Sequence, residues 1–213
     1  DAFKGTVILE PDEAFCERLR RQAERETKSI RLLEELKGKQ SVTKSGQRLR
    51  VLANIGNMED LSSAWENDAE GVGLFRSEFL YLGRKDFPSE EEQFQVYRRT
   101  VQEMKGRRVV VRTMDMGADK QADYLHLGRE SNPAMGYRGI RICLKQPEIF
   151  RVQLRALLRA AVFGDLWVLY PMIISSEEVR EIKRIVEETA EELEKAQVPF
   201  KIPRQGVMIE TPA

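Results

Sequence analysis

The sequence predicts an α/β protein built from repeated strand–helix units, and three observations support this prediction. Five strand-like runs recur along the chain, amphipathic helical patterns separate them, and the runs are almost continuously apolar. Alternation of this kind predicts parallel strands, because a helix has to carry the chain back before each new strand begins. The runs cover residues 49–54, 71–80, 109–114, 166–174 and 206–210.

Two architectures contain such units, the doubly wound sheet and the (β/α)8 barrel. A doubly wound sheet usually has a glycine-rich phosphate-binding turn after its first strand, and Asn54-Ile55-Gly56-Asn57 is not such a turn. The barrel is therefore favoured. Strands that begin about 40 residues apart imply about 310 residues for eight units. We therefore expect a partial (β/α)8 barrel, about its first five units, in which the first and fifth strands are unpaired edges that invite association.

A different pattern precedes the barrel. Residues 6–9 predict a short strand, and Asp12 is expected to cap a long charged helix that runs to about Lys37 and ends at Gly38. Its apolar stripe is narrow, which favours a strut between domains over a core element. The polar stretch 39–47 is the predicted boundary, and it separates residues 1–45 from the barrel part, residues 46–213.

Four helices are expected between the strands of the barrel. A short one contains Leu61, Ala64 and Trp65, and another carries Phe150, Leu154, Leu157, Leu158 and Ala161 on one face. The two clearest run from Glu90 to Met104 and from Glu177 to Ala196. Each of these two opens with a capping box, formed by Ser89 with Glu92 and by Ser175 with Glu178.

Composition excludes several classes of protein. The 35 Lys and Arg residues balance the 35 Asp and Glu residues, so no general field attracts nucleic acid or anionic lipid. No apolar run approaches the roughly 20 residues of a membrane span, and residues 1–4 do not look like a signal peptide. We expect a cytoplasmic protein without nucleic-acid or membrane partners. Cys16 and Cys143 are expected to be buried apolar residues. A single histidine, His126, argues against a histidine-based zinc site or a Ser-His-Asp triad but could still act as a base.

Candidate functional residues stand at the ends of three predicted strands. Arg76 and Arg112 interrupt otherwise apolar segments, and Glu210 ends the fifth strand. Active sites of (β/α)8 barrels form at this edge of the sheet. A guanidinium removed from water needs an anionic partner. One interpretation pairs Arg76 with Glu78 or Asp115 as a structural salt bridge; the other has both arginines binding a phosphate- or carboxylate-bearing substrate.

Glu210 also has two interpretations. It is a plausible Mg²⁺ ligand, because that ion takes one or two carboxylates and keeps positions for substrate oxygens. Alternatively, it is a partner for one of the arginines.

The chain contains five blocks of distinctive sequence: GVGLFRSEFL at 71–80, VRTMDMGADK at 111–120, NPAMGYRGIR at 132–141, PMI at 171–173 and MIETPA at 208–213. In this order, they closely resemble the phosphoenolpyruvate-binding barrel of the enzyme I family of the bacterial sugar phosphotransferase system. Residues 1–38 resemble the last strand of that family's swivelling phosphohistidine domain and the helical linker that follows it. The resemblance implies that residues 1–45 are the end of that domain and the linker, and that residues 46–213 are the N-terminal part of the barrel.

The resemblance assigns roles to residues of this chain. It implies that Arg76 and Arg112 bind the phosphate and carboxylate of phosphoenolpyruvate, and that Glu210 is one of two protein ligands for Mg²⁺. Lys120 and Arg138 match other charged positions of the motifs and are expected near the phosphoryl group, with an exposed loop ion pair as the alternative for each. His126 matches no catalytic position of the family and is expected on a surface or loop.

The resemblance also implies what the rest of such a protein supplies. The family's phosphorylated histidine lies on the swivelling domain, and its proton-donor cysteine and second Mg²⁺ carboxylate follow the fifth strand. We therefore expect no catalytic residue in this chain and no phosphoryl transfer by the chain alone. The implied partners are the histidine-containing phosphocarrier protein, through the N-terminal part of the parent, and a second copy in a homodimer.

Three alternatives remain open at this point. Pyruvate phosphate dikinase and phosphoenolpyruvate synthase share the barrel, although the Leu-Phe-Arg-Ser-Glu-Phe-Leu-Tyr run and the segment 88–94 look more like enzyme I. A non-catalytic binding or dimerisation scaffold is the third.

Ala118 departs from the family, which usually has glycine there, so a positive φ at this position would imply strain.

Overall fold

The computed structural model describes residues 5, 7–120 and 122–212. The chain divides into two compact units, residues 1–49 and 50–213. The first unit contains helix α1 (Glu13–Glu34) and an antiparallel hairpin of β1 (Ser41–Val42) and β2 (Arg48–Leu49). Asp12 caps α1 as predicted, because its Oδ1 accepts from the Phe15 backbone N–H at 2.6 Å.

Three expectations for the first unit are wrong. Residues 7–10 form no strand, since no described segment pairs with their backbone; residue 6 lies outside the described residues. Helix α1 ends at Glu34 rather than near Lys37, and a turn continues to Gly38, which has φ +75°. Cys16 is only partly buried, and no residue of α1 is fully buried.

The second unit is a five-stranded parallel sheet flanked by helices, which confirms the predicted fold class. Neighbouring strands follow chain order throughout, as in consecutive units of a (β/α) barrel, without the reversal of a doubly wound sheet. The strands are β3 (Ala53–Ile55), β4 (Gly71–Arg76), β5 (Arg108–Arg112), β6 (Leu166–Tyr170) and β7 (Arg204–Val207). The helices are α2 (Glu59–Glu66), α3 (Glu90–Glu103), α4 (Ile140–Lys145), α5 (Pro147–Ala160) and α6 (Ser176–Lys195).

Two features of this unit differ from expectation. The first parallel strand begins at Ala53, which pairs with Val72, whereas Leu49 belongs to the preceding hairpin. Leu52 instead packs beside Gly73, where an added Cβ would lie 2.8 Å from the Leu52 Cβ. Helix α4 was not expected, because it is only six residues long and α5 follows it almost directly.

The core lies between the sheet and its outer helices. Strand β5 alternates strictly: Val109 and Val111 are buried, whereas Val110 and Arg112 are only partly covered. Strand β6 alternates in the same way, whereas all four residues of β7 are exposed. The expectation of strands buried on both faces is therefore wrong for the described residues. The largest fully buried side chains include Phe75, Tyr81, Tyr97, Phe150 and Leu154. No helix in the described part of the chain has the length and apolar character needed to cross a membrane.

Both predicted capping boxes are present, and the one on α3 has a measurable consequence. Glu92 accepts from Arg84 Nη2 at 2.7 Å and from the Ser89 backbone N–H at 2.8 Å. These hydrogen bonds, that of Arg84 first, lower the pKa of Glu92 to about 2 from its ordinary 4.5. The folded state therefore holds the charged carboxylate more strongly than the unfolded chain does.

We predict that the stability contributed by Glu92 is complete above pH 4.5 and is lost as the pH falls toward about 2. Urea unfolding of the wild type and of Glu92→Gln at pH 6 and pH 3 measures this. Glutamine keeps an acceptor but no charge, so the wild type should be the more stable at pH 6 and the gap should narrow at pH 3. A gap of equal size at both values would contradict the assignment.

Candidate functional site

Arg76 and Arg112 lie side by side at the same edge of the sheet. Arg76 is the last residue of β4 and Arg112 the last of β5, and the two are register partners on neighbouring parallel strands. The carboxyl ends of parallel strands meet at one edge, so two strand-terminal arginines necessarily become neighbours. The structure thus brings together the two residues that the sequence placed at successive strand ends.

Arg112 is held by two buried carboxylates. Its Nη2 lies 2.8 Å from Glu78 Oε1, and its Nη1 lies 3.5 Å from Asp115 Oδ2. The side chains of Glu78 and Asp115 are only 3% and 7% exposed. The salt-bridge interpretation of the sequence is therefore wrong in its details: Glu78 and Asp115 pair with Arg112, whereas it assigned them to Arg76.

Arg76 has a different environment. Its guanidinium stacks over the ring of Phe79 at 5.1 Å, a cation–π contact, and no carboxylate of the described residues forms an ion pair with it. The Phe79 ring lies against Gly56 at the end of β3, where an added Cβ would fall 2.2 Å from Phe79 Cε2. Glycine at position 56 is therefore required for this ring position, and through the ring it supports Arg76.

The two arginines share a feature that Arg98 and Arg108 also have elsewhere in the described chain, but only Arg76 and Arg112 have it on adjacent strand ends. The Nε atoms of both Arg76 and Arg112 are buried without a hydrogen-bond acceptor among the described residues, and both carboxylate oxygens of Glu78 lack a hydrogen-bond donor. The Arg112–Glu78 contact is thus an ion pair without hydrogen-bond geometry. A buried donor without an acceptor costs about 1–3 kcal/mol. An anion bound at this edge would supply acceptors to both guanidiniums.

Arg138 is saturated by acceptors from its own chain. Nε donates to Asp115 Oδ1 at 3.0 Å, Nη2 to Asp115 Oδ2 at 3.1 Å and to the Asp115 carbonyl at 3.3 Å, and Nη1 to Asp119 and the Pro133 carbonyl. All five guanidinium N–H groups are therefore engaged. Burial alone would lower the pKa of Arg138, but hydrogen bonds and charge from Asp115 and Asp119 raise it above its ordinary value.

Asp115 is thus the centre of a cluster that the sequence did not single out. It contacts Arg112 and Arg138 through its carboxylate, and its carbonyl accepts from Lys120 Nζ at 2.8 Å. The cluster places Lys120 and Arg138 beside Arg112. The one signal for this in the sequence is an acidic residue three positions after a strand-terminal arginine.

Glu210 lies on the segment that follows β7. Its Oε1 accepts from the Met172 backbone N–H at 2.7 Å, and the residue is exposed. Met208, two positions earlier, places its sulfur 4.0 Å from Arg112 Nη1. Glu210 therefore lies just beyond the end of β7, two residues after Met208, which contacts Arg112. The second carboxylate oxygen of Glu210 makes no hydrogen bond to a described residue.

The described residues contain no group of three or more His, Cys, Asp or Glu side chains arranged to hold a metal ion. The donor set at Glu210 still fits Mg²⁺, because this ion is often bound by one or two carboxylates while substrate phosphate and water oxygens complete its shell. Glu210 is accordingly the residue of this edge that would hold such an ion.

The remaining candidates have plain structural outcomes. His126 is exposed, as expected. Cys143 is buried, as expected, and burial, reinforced by the charge of Asp115, raises its pKa to about 12, so it is not a thiolate at neutral pH. Ala118 is not among the residues with positive φ, so its substitution for glycine causes no strain.

An apolar cavity of about 460 Å³ beside Tyr81, Phe87 and Ile149 includes none of the predicted site residues in its lining.

Comparison with known proteins gives one family match. A family model described as the PEP-binding domain of PEP-utilising enzymes matches residues 31–213. The chain is similar to phosphoenolpyruvate-protein phosphotransferases from Staphylococcus carnosus (strain TM300), with 46% identity over 215 residues, and from Staphylococcus epidermidis, with 45% identity. It is 44% identical to the one from Haemophilus influenzae. Each alignment covers all of this chain but only 37% of the relative.

Proposed function

The chain belongs to the PEP-utilising enzyme family, in its PEP-binding domain, and on this premise we propose that Arg76 and Arg112 bind phosphoenolpyruvate. The observation that carries the proposal is a pair of Nε–H groups on adjacent strand ends, both buried without an acceptor from the described part of the chain. Phosphoenolpyruvate carries a phosphate and a carboxylate, and a guanidinium matches either group with two parallel hydrogen bonds. Two neighbouring arginines therefore suit a small substrate with two anionic groups.

The proposed reaction is the one that the name of the relatives describes, transfer of a phosphoryl group from phosphoenolpyruvate to a protein. A phosphoryl group leaves phosphoenolpyruvate for a histidine of the enzyme, and then passes to the histidine-containing phosphocarrier protein of the cytoplasm. The chain spans 37% of the relatives' length, and we assign the accepting histidine and the proton donor to the parts of such proteins beyond the match. The full-length parent is proposed to be a homodimer.

The role of this chain's own residues is electrostatic. The transferring phosphoryl group spreads negative charge over its oxygens, and fixed cations stabilise that charge without reorganising during the reaction. Arg76 and Arg112 supply two such cations, and Asp115 and Glu78 hold Arg112 in place. Lys120 and Arg138 are proposed as neighbours of the phosphoryl group, although Arg138 would have to give up one of its present acceptors to touch it.

Mg²⁺ belongs to the proposal as well, with Glu210 as one protein ligand. When bound, this ion neutralises charge on phosphate oxygens. The contribution of Glu210 itself is to offer one carboxylate oxygen while Met172 N–H fixes the other. The exposed position of the carboxylate leaves room for substrate oxygens on the same ion.

Titration calorimetry with three ligands tests the proposal. In Mg²⁺, we predict that the 213-residue chain binds phosphoenolpyruvate about 100-fold more tightly than pyruvate or inorganic phosphate, because each of these lacks one of the two anionic groups. Glu210→Gln removes the charge of the proposed metal ligand and should weaken the Mg²⁺ dependence of binding. Its fold should be unaffected, because the residue is exposed.

Two results would contradict the proposal. Equal affinity for all three ligands would show that the arginines do not recognise a two-ended anion. Unchanged Mg²⁺ dependence in Glu210→Gln would remove Glu210 from the metal site while leaving the arginine assignment standing. The matched control is Glu177→Gln, an exposed carboxylate on α6 that pairs with Arg180 at 2.8 Å.

A further inference from the structure

One buried amide connects the two segments that directly follow Arg76 and Arg112. Gln153 lies on the apolar face of α5 and is 1% exposed. Its Oε1 accepts from the Met114 backbone N–H at 2.8 Å, and its Nε2 donates to Ser77 Oγ at 3.1 Å and to Tyr97 Oη at 3.0 Å. The Met114 N–H can only donate, so it fixes which end of the amide faces it.

The two loop contacts of Gln153 are adjacent to the site. Ser77 directly follows Arg76, and Met114 lies between Arg112 and Asp115. The partners are 76 and 39 residues away from Gln153 in sequence. The ladder between β4 and β5 pairs Arg76 with Arg112, and Gln153 adds a link between Ser77 and Met114, just beyond the paired strand ends. All three polar groups of the amide are used, and the surrounding positions on α5 are apolar.

We propose that Gln153 is a positioning residue that holds Arg76 and Arg112 at the spacing required for phosphoenolpyruvate. The proposal rests on the proposed function. Binding of a two-ended anion by two arginines depends on their separation, and a displacement of about 1 Å in a positioned group can reduce activity by about 100-fold. Without the amide, the buried Met114 N–H loses its acceptor and the loop after β5 has to move to find another.

Gln93 provides a matched control within the same buried network. It is also 1% exposed, and its amide accepts from Tyr81 Oη and Tyr97 Oη and donates to the Pro88 carbonyl. Among the described hydrogen bonds, none joins Gln93 to Ser77 or Met114. Gln93→Met and Gln153→Met therefore remove the same kind of buried amide from the same network, and only the second change removes the hydrogen bonds to Ser77 and Met114.

The experiment compares both variants with the wild type by three measurements on the 213-residue chain. Urea unfolding reports stability, the NMR signals of the arginine Nε–H groups report the placement of Arg76 and Arg112, and calorimetry reports phosphoenolpyruvate affinity. We expect comparable losses of stability in the two variants. Only Gln153→Met should shift or broaden both arginine signals and weaken binding by about tenfold or more.

Each outcome has a distinct meaning. A folded Gln153→Met whose arginine signals and affinity match those of Gln93→Met overturns the positioning role. If the wild type does not bind phosphoenolpyruvate, the proposed function fails, and the arginine signals alone still decide whether Gln153 positions them. If Gln153→Met does not fold, Ser77→Ala removes only one hydroxyl of the same linkage and should shift the Arg76 signal and weaken binding; unchanged values would overturn the role.

Discussion

Replacing Arg112 by alanine is expected to abolish measurable phosphoenolpyruvate binding and to destabilise the fold by about 3–5 kcal/mol. The loss of stability follows from its two partners. Glu78 and Asp115 are almost fully buried, and removal of Arg112 leaves the Glu78 charge without a cation at ion-pair distance in the part of the chain that the structure describes. Urea unfolding gives the stability change, and calorimetry gives the affinity.

Two further variants separate these effects. Arg112→Lys keeps a positive charge near Glu78 and should recover part of the stability, but not the two-pronged recognition of phosphate or carboxylate. The double variant Arg112→Met with Glu78→Gln removes both charges of the closer pair and should be more stable than Arg112→Ala while still not binding. Arg112→Ala with wild-type affinity would exclude Arg112 from the site.

Replacing Arg76 by alanine should reduce affinity by about 100-fold or more while leaving stability within about 1 kcal/mol of wild type. Arg76 has no carboxylate partner among the described residues, and its principal contact is the Phe79 ring. Its removal therefore strands no buried charge. The same unfolding and calorimetry experiments measure both quantities. Both variants should lose affinity, but only Arg112→Ala should lose much stability.

Arg108 is a suitable control for Arg76. It begins β5, at the opposite end of the strand from Arg112, and stacks on Trp167 at 3.6 Å. Arg108→Ala therefore loses a cation–π contact, together with an ion pair to Asp165 at 3.6 Å, at the edge of the sheet away from the site. Affinity that falls equally in Arg76→Ala and Arg108→Ala would show a general effect of charge rather than recognition at the strand ends.

Local features of the structure were predictable from sequence. The capping boxes at Ser89 and Ser175 depend on residues three positions apart, so their spacing in the chain already fixes the hydrogen bonds. The pairing of Arg76 with Arg112 was predictable for a related reason, because parallel strands in chain order bring successive strand ends together. Family membership, expected from five sequence blocks, is confirmed.

Features that depend on distant contacts were not predictable. Proximity in sequence favoured Arg76 as a partner of Glu78, but the carboxylate turns toward Arg112 on the next strand. Gln153 gave no signal, because one amide in an apolar helix does not reveal which loops it contacts. The start of β3 was misplaced because the apolar run begins in the hairpin, where Leu49 pairs with Ser41, whereas pairing with β4 begins only at Ala53.

The most direct test of the account is an NMR titration of phosphoenolpyruvate in Mg²⁺ that follows the Nε–H signals of Arg76 and Arg112. Both donors are buried without an acceptor among the described residues, so a ligand that supplies acceptors should move both signals. We predict that the two signals shift together and report one dissociation constant, while the signal of Arg138, already saturated, moves less. Saturable binding that leaves the Arg76 and Arg112 signals in place would contradict the central claim.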